Sequence, residues 1–266
     1  GLGVFNNLKL RASYGEVGNN ASISPYATKS NIFQTFYDFY GNPALGYTIN
    51  SLANQGVVWE RSKEINFGLD FSLSGIQLSG TVEYYKRNTE DLILDDKVPN
   101  STGFNNVLDN VGEIENSGIE VSLNSVNLSK GDFKWSSNLT FTANDDKVVK
   151  LAGGLTEDIG NQRFVGESVK AYYTYKFEGI WQLGQEAEAA EFGQVPGMIR
   201  IRDLNGDKKI NSDDRMIVGK GTPDWTAGLR NQFNYKNWDM SFFVYTRQGQ
   251  MYSNAFLNGT YGDISS

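Results

Sequence analysis

The motif with the clearest chemistry is a run of oxygen-bearing side chains between residues 203 and 214. These side chains occupy positions 1, 3, 5, 9 and 12 of a twelve-residue loop and belong to Asp203, Asn205, Asp207, Asn211 and Asp214. This is the spacing of an EF-hand calcium loop, in which the residue at position 7, here Lys209, contributes its backbone carbonyl. The spacing predicts a structural Ca²⁺ ion held by Asp203, Asn205, Asp207, Lys209 and Asp214.

Two residues of this loop depart from the calcium pattern. Position 6 is Lys208, where the pattern has Gly, and position 12 is Asp214, which is shorter than the usual Glu. The flanking residues are typical of strands rather than of helices. The alternative is an Asn/Asp/Gly turn that satisfies its own polar groups through side-chain hydrogen bonds and binds no metal.

A second candidate site is an aromatic segment at residues 33–40. Its aromatic residues are Phe33, Phe36, Tyr37, Phe39 and Tyr40. Flat aromatic faces beside Asn and Gln are suited to sugar rings, so Phe36, Tyr37 and Tyr40 are candidate substrate contacts. The alternative is that these rings pack on one another or on a neighbouring loop, since aromatic side chains mostly bury their own area.

The composition excludes much other chemistry. The 266 residues contain neither Cys nor His, which removes thiolate nucleophiles and the commonest general base and zinc ligand. The acidic pairs Asp145-Asp146 and Asp213-Asp214 are adjacent, and on a strand adjacent side chains point to opposite faces. They are therefore poor candidates for the paired carboxylates of a glycosidase. A net charge of -7 argues against nucleic-acid binding. We therefore expect a protein that is not an enzyme and does not bind nucleic acid.

Elements that position these residues are visible as alternating apolar and polar residues. Seven segments keep this period: 8–14, 64–73, 76–86, 114–124, 133–144, 225–235 and 238–247. Most approach the roughly 9–11 residues of a tilted membrane strand, whereas soluble strands average about 5–6. Aromatic residues near the segment ends are typical of the interfacial girdles of a membrane barrel. The pattern predicts an all-β, antiparallel up-and-down meander that forms part of a transmembrane β-barrel.

The alternation also predicts which side chains share a face. We expect one set to point outward to lipid and to be exposed in the isolated chain: Leu69, Phe71, Val121, Leu139, Phe141, Leu229 and Phe242. A second set should face the lumen: Asp70, Glu83, Glu120, Asn138 and Thr140. The alternative is a soluble β-sandwich, in which the first set would form a closed core between two sheets.

The connections between the seven segments alternate strictly between long and short. Outer-membrane barrels have short periplasmic turns and long extracellular loops, whereas a sandwich gives no reason for this parity. The longest connection, residues 145–224, contains shorter strand-like pieces. We expect it to be one extracellular excursion with an internal hairpin at 171–202.

Several segments resemble a repeated signature of SusC/RagA-type TonB-dependent transporters. They are Leu8–Gly15 with Gly18-Asn19, Trp59-Glu60 with Ile65–Phe71, Glu83–Leu92, Asn116–Glu120, Gly179–Gln182, Pro196-Gly197, Asp203–Asp207 and Pro223–Trp225. The resemblance covers almost the whole chain and is specific in order and spacing.

The resemblance implies a 22-stranded outer-membrane barrel with an internal plug. It implies import of large nutrients, chiefly glycans and in some members peptides, with energy delivered through TonB. The implied partners are a SusD-like surface lipoprotein and the lipid and lipopolysaccharide of the outer membrane. Residues 1–266 match the barrel alone, so we expect one partial barrel domain, with the TonB-contacting segment, plug and closing strands elsewhere. The remaining alternative is a secreted, calcium-stabilised β-sandwich that acts as an adhesin or carbohydrate-binding module.

Overall fold

The structure is a computed structural model that describes residues 3–21, 26, 28–30, 32–49, 52–73, 75–98, 100–104 and 106–253. The strands of these residues are β1 (Phe5–Asn19), β2 (Ile32–Phe39), β3 (Asn42–Ile49), β4 (Glu60–Leu73), β5 (Leu78–Lys97), β6 (Asn106–Lys130), β7 (Phe133–Lys150), β8 (Glu157–Asp158), β9 (Arg163–Phe164), β10 (Ala171–Tyr175), β11 (Phe177–Ile180), β12 (Ile199–Ile201), β13 (Arg215–Lys220), β14 (Trp225–Tyr235) and β15 (Trp238–Gln248). The one α-helix among them, α1, spans Glu186–Glu191, and short 3₁₀ turns span Asn100–Thr102, Ala152–Gly154, Ile159–Asn161 and Ser212–Asp214.

Seven of these strands form a single antiparallel sheet in the order β1-β4-β5-β6-β7-β14-β15. Each predicted segment lies in one of these strands, and each strand pairs with its neighbour in this sequence, so the predicted meander is confirmed. The segment predicted at 76–86 begins two residues later, at Leu78. Ile76 belongs to the preceding turn, because its carbonyl accepts a hydrogen bond from the Leu78 N–H (2.6 Å).

One face of the sheet is apolar across all seven strands. Two adjacent rows of the register illustrate this: Leu8, Phe71, Leu123, Leu139, Leu229 and Val244, and next to it Leu10, Leu69, Val82, Val121, Phe141 and Ala227. The predicted outward set therefore does share one face. Leu229 and Phe242 are exposed as expected, whereas the other five are half-buried, because neighbours in a row shield one another.

The opposite face is polar. It carries Asp70, Glu83, Glu120, Asn138 and Thr140, as the alternation predicts. We call the two sides of this sheet the apolar face and the polar face.

In the part of the chain that the structure describes, no second sheet covers the apolar face. Within the described residues, the buried apolar side chains are Val148, Leu151, Phe164, Ala171, Trp181 and Ala189, and none of them belongs to the rows above. Leu10, at mid-strand, is 81% exposed. The β-sandwich alternative is therefore wrong, because its core would have to lie where this sheet has an open surface.

The connection between β7 and β14 folds outside the main sheet. β7 continues to Lys150, so the excursion occupies 151–224 and begins six residues after the predicted boundary. Inside it, β11 pairs with β12 and β10 pairs with β13, so the internal hairpin reaches beyond 171–202 to Lys220.

The excursion is attached to the end of β7. The N–H of Val148 donates to the carbonyl of Glu167, and the N–H of Gly166 donates to the carbonyl of Val148, both at 2.8 Å. The Asp146 carboxylate accepts hydrogen bonds from the Ser168 hydroxyl (2.8 Å) and the Val169 N–H (2.9 Å).

The aromatic segment forms a hairpin of β2 and β3 rather than an irregular loop. Its register, from Ile32–Ile49 to Phe39–Asn42, is separate from the main sheet. Among the described residues, no helix is long and apolar enough to cross a membrane.

Candidate functional site

The polar face carries a cross-strand ion-pair cluster on β1, β4 and β5, at one edge of the sheet. The Arg11 guanidinium on β1 donates two hydrogen bonds to the Asp70 carboxylate on β4, at 2.9 and 3.0 Å. It also pairs with Glu83 on β5. Charges on this face are thus held by neighbouring strands, as in the wall of a water-filled lumen.

At β14 and β15 the same face has a different character. Phe243 and Tyr245 point to the polar side, where they are 62% and 52% exposed. Their rings are stacked, with centroids 6.3 Å apart and planes at 22°. The ring of Phe243 lies over Gly228, where a methyl group would come within 2.9 Å of it.

Two arginines flank these rings. Arg230 is paired with Phe243 in the register of β14 and β15. Arg247 donates from Nε to the Tyr245 hydroxyl at 2.9 Å, and its guanidinium lies 5.8 Å from the centre of that ring. We call Arg230, Phe243, Tyr245 and Arg247 the aromatic–arginine patch.

The loop at 203–214 is closed by side-chain acceptors and backbone donors. Asp203 accepts from the N–H groups of Gly206 (2.7 Å) and Lys208 (2.9 Å). Asn205 accepts from the Asp207 N–H (3.0 Å), and Asp207 accepts from the Lys209 N–H (2.8 Å). These are the contacts of consecutive Asx turns, which the alternative without metal predicts.

Asp214 is the anchor of this loop, with a side chain that is fully buried. Its carboxylate accepts from the N–H groups of Asn211 (2.8 Å) and Leu204 (2.9 Å). These hydrogen bonds, that of Asn211 first, lower the pKa of Asp214 against the opposing effect of desolvation. The buried carboxylate therefore stays ionised and ties the two ends of the loop together.

The predicted calcium ligands fit the calcium pattern only in part. Lys208, at position 6, has φ +62°, the left-handed conformation that Gly supplies in calcium loops. Asp203 and Asp214 lie close enough for their side chains to interact. However, the described part of the chain contains no group of three or more Asp, Glu, His or Cys residues placed to hold a metal. Convergence of three carboxylates is therefore not observed, and calcium binding stays a prediction.

The aromatic substrate candidates do not share one surface. Phe36 and Tyr37 are adjacent on β2 and point to opposite faces of the hairpin. The ring of Tyr37 lies over Gly46, whereas Tyr40, in the turn, is 98% exposed and meets Phe39 edge-on at 6.1 Å. Their role as substrate contacts stays a prediction.

Sequence reasoning missed the aromatic–arginine patch as a site. The signal was available: in 238–247 the alternation breaks, because Phe243 and Tyr245 stand on the side with Asp239, Ser241 and Arg247. The relation to Gly228 and Arg230 depends on the register of two strands and is not visible in one segment.

Together, the two faces define the class of protein. A single antiparallel meander with a continuous apolar face and a charged, hydrogen-bonded opposite face is a section of the wall of a membrane β-barrel. A family model described as TonB dependent receptor-like, beta-barrel matches residues 1–265. The chain belongs to this family, whose members are outer-membrane β-barrel proteins and not enzymes.

The relatives support the same assignment. The chain is 36% identical over 269 residues to TonB-dependent receptor P26 of Formosa agariphila, covering 97% of this chain and 27% of that protein. It is 26% identical to TonB-dependent receptor SusC of Bacteroides thetaiotaomicron, covering 100% of this chain and 28% of SusC. The chain thus spans about a quarter of the length of these relatives.

Solved structures share the fold. The RagAB peptide transporter superposes with a TM-score of 0.72 at 23% identity, covering 92% of this chain and 27% of that one. The RagAB peptide importer in its open-open state gives a TM-score of 0.74 at 22% identity, covering 93% of this chain and 26% of that one. The prediction of a SusC/RagA-type barrel fold is confirmed.

Proposed function

We propose that the complete protein imports a large nutrient across the outer membrane and that this chain forms part of its barrel wall. The observation that carries the proposal is the seven-stranded sheet with one apolar and one polar face, together with the family match over residues 1–265. A wall of this kind separates lipid from an aqueous path, which is what an importer of polar solutes requires.

The proposed substrate class is a glycan or oligosaccharide. The similarity to SusC supports it, and the hydroxyl and amide side chains of the polar face suit the hydroxyl groups of sugars. A peptide is the second candidate, because the similar RagAB structures are described as those of a peptide transporter. In this proposal, Phe36, Tyr37 and Tyr40 contact substrate at the outer end of the barrel.

The proposed partners follow from the same similarity. We place a SusD-like surface lipoprotein on the side of the hairpin β2–β3 and the excursion, and we place TonB in contact with a part of the protein outside this chain. The apolar face contacts the lipid and lipopolysaccharide of the outer membrane. On this assignment, residues 151–224 lie outside the cell.

Import is tested by deleting the gene and measuring growth on single carbon sources. We expect growth to fail on one glycan, to continue on its monosaccharide, and to return with the full-length gene. Growth that fails on peptides alone would replace the glycan with a peptide. Unchanged growth on every glycan and peptide tested, with the protein present in the outer-membrane fraction, would contradict import.

A structural Ca²⁺ ion in the loop 203–214 is a separate proposal. Extracellular calcium sites can be weak, with Kd of about 10⁻⁴–10⁻³ M. Titration of the full-length protein with calcium should protect residues 203–214 from proteolysis at millimolar concentrations, and Asp203→Ala and Asp207→Ala should remove the effect. If calcium leaves the wild-type cleavage pattern unchanged, the loop is the metal-free turn described above.

A further inference from the structure

We infer that the aromatic–arginine patch on the polar face binds the acidic sugar units of an oligosaccharide as it passes along the wall. This rests on the proposed function, because it assigns a substrate class and a contact site to the same import path. The site is Arg230, Phe243, Tyr245 and Arg247, on the adjacent strands β14 and β15.

The two rings provide an exposed apolar strip on an otherwise polar surface. Phe243 and Tyr245 follow each other along β15, nearly parallel, and more than half of each side chain is exposed. Gly228 on β14 leaves room for the Phe243 ring to lie against the wall. A contiguous exposed apolar patch on a water-facing surface is typical of an interaction site, and a sugar ring presents a face of C–H groups that such a patch can contact.

The two arginines give the strip a positive charge. In the same sheet, Arg11, Arg61 and Arg87 each make an ion pair with a carboxylate. Within the described residues, Arg230 and Arg247 make none, and both are exposed. A guanidinium binds carboxylate and sulfate groups through paired, charge-assisted hydrogen bonds, so the complement of this strip is an anion.

A basin beside the patch provides space for such a ligand. It has a volume of about 880 Å³ and includes Arg230. Hydroxyl and amide groups line much of the rest: Ser72, Ser79, Asn124, Ser136, Asn138 and Gln232. Among the described residues that line it there is no Asp or Glu, so none of them would repel an acidic ligand or pair with a basic peptide.

These features together favour an acidic oligosaccharide over a peptide. The exposed rings match the C–H face of a sugar, the hydroxyl and amide groups match sugar hydroxyls, and the arginines match carboxylate or sulfate substituents. A segment of the same protein that filled the lumen here would be an alternative occupant, and the experiment below separates the two.

The test uses the purified full-length protein in detergent and titration calorimetry with three tetrasaccharides. The probes are tetragalacturonate, a sulfated carrageenan tetrasaccharide and neutral maltotetraose. We expect at least one acidic probe to bind about tenfold or more tightly than maltotetraose, with an affinity that falls as salt rises. The double variant Arg230→Gln/Arg247→Gln should remove this preference, and Phe243→Ala/Tyr245→Ala should weaken the binding of the acidic probe.

Phe242→Ala is the matched control, because it removes an exposed aromatic ring from the same strand on the apolar face and should leave acidic binding unchanged. The inference is overturned if neither acidic probe is preferred by the wild type, a result that does not depend on any variant folding. It is also overturned if the arginine variant keeps the preference. A third contradicting outcome is that cells carrying the arginine variant take up a large antibiotic while the glycan affinity is unchanged, because the arginines would then hold a segment of the same protein in the lumen. If growth on the glycan is lost on gene deletion but retained in the arginine variant, the proposed import stands and the inferred role of the patch is overturned.

Discussion

The seven-stranded sheet and the excursion at residues 151–224 keep apolar side chains from water in opposite ways. In the sheet, rows such as Leu8, Phe71, Leu123, Leu139, Leu229 and Val244 lie on one open face. In the excursion, Trp181 is buried against Phe192, with ring centroids 5.7 Å apart, beneath the Arg200 guanidinium. The first region needs lipid to complete its packing, whereas the second carries a small core of its own.

The stability of the two regions therefore depends on different interactions. The backbone of the sheet is held by seven paired strands, so its stability depends on what meets its apolar face. The excursion has short strands and one short helix, so it depends on a few buried side chains and on hydrogen bonds within its loops. Substitutions that disturb one region should therefore leave the other in place.

The largest expected effect is in the excursion, at Trp181. Its indole N–H donates to the Gln194 side-chain oxygen at 2.6 Å, and its ring fills the centre of the small core. Trp181→Ala should destabilise the excursion by about 3–5 kcal/mol. Limited proteolysis of the full-length protein should show rapid cleavage within 177–201 while the barrel remains resistant. Leu183→Ala, at a side chain that is 89% exposed, should behave like wild type.

The next largest effect should fall on the sheet alone. Leu139 stands near the middle of the apolar face of β7, and its neighbour Thr140 points to the polar face. An arginine on the lipid face at the bilayer midplane costs about 2–4 kcal/mol. Leu139→Arg should lower the temperature at which the full-length barrel unfolds on a heated detergent gel, and Thr140→Arg should lower it much less. Equal effects of the two substitutions would contradict the assignment of the faces.

A smaller effect should separate Asp214 from its exposed neighbour Asp213. Asp214→Asn places an amide NH₂ against the N–H of Leu204 or Asn211, where the carboxylate accepts both hydrogen bonds. Because folding lowers the pKa of Asp214, its stabilisation is fully present above the ordinary aspartate pKa of about 3.9 and is lost as the pH falls through the lowered pKa. Proteolysis at 203–214, measured against pH with an acid-stable protease, should show this loss in wild type and in Asp213→Asn but not in Asp214→Asn.

The smallest effect should be a gain in stability at Lys208. Its positive φ is a conformation that Gly adopts without strain, while its ion pair with Glu191 (2.7 Å) is solvent-exposed and contributes little. Lys208→Gly should therefore stabilise the excursion by less than about 1 kcal/mol. Gly206→Ala, at φ +76°, should do the reverse. The proteolysis rate at residues 203–214 measures the stability of both variants. A destabilised Lys208→Gly variant would show that the ion pair with Glu191 contributes more than the relief of backbone strain.

The sequence was sufficient to predict the wall but not all of its length. Alternation at Leu69–Phe71 and Leu139–Phe141 fixes the face, and the parity of the connections predicts the strand order. β6 begins at Asn106, because its backbone stays paired with β5 over that length. Glu113, Glu115 and Ser117 stand on the same side of the strand as Ile119, so the alternation of apolar and polar residues has already ended there. Alternating hydropathy therefore cannot predict the part of a strand that extends beyond the apolar residues.

The candidate sites were predicted less completely than the sheet, and the physical reason differs from one site to the next. The spacing of Asp203 and Asp214 predicts a closed acidic loop, but the burial of Asp214 depends on how the whole excursion packs. The hairpin β2–β3 has apolar residues on both faces, Phe36 on one and Phe39 on the other, so no period-two signal marks it. Pairing of β10 with β13 joins segments about forty residues apart, which local pattern does not reveal.

The excursion leaves and re-enters the wall between two strands that are direct neighbours. β7 and β14 are paired without a break from Phe133–Tyr235 to Ala143–Trp225, and β7 then continues to Lys150, where the excursion departs. Lengthening, shortening or exchanging residues 151–224 therefore alters no hydrogen bond of that ladder, and the entropy of closing a longer loop rises only slowly with its length. In evolutionary terms the segment is a cassette that can be exchanged at this junction while the paired strands on either side are inherited unchanged.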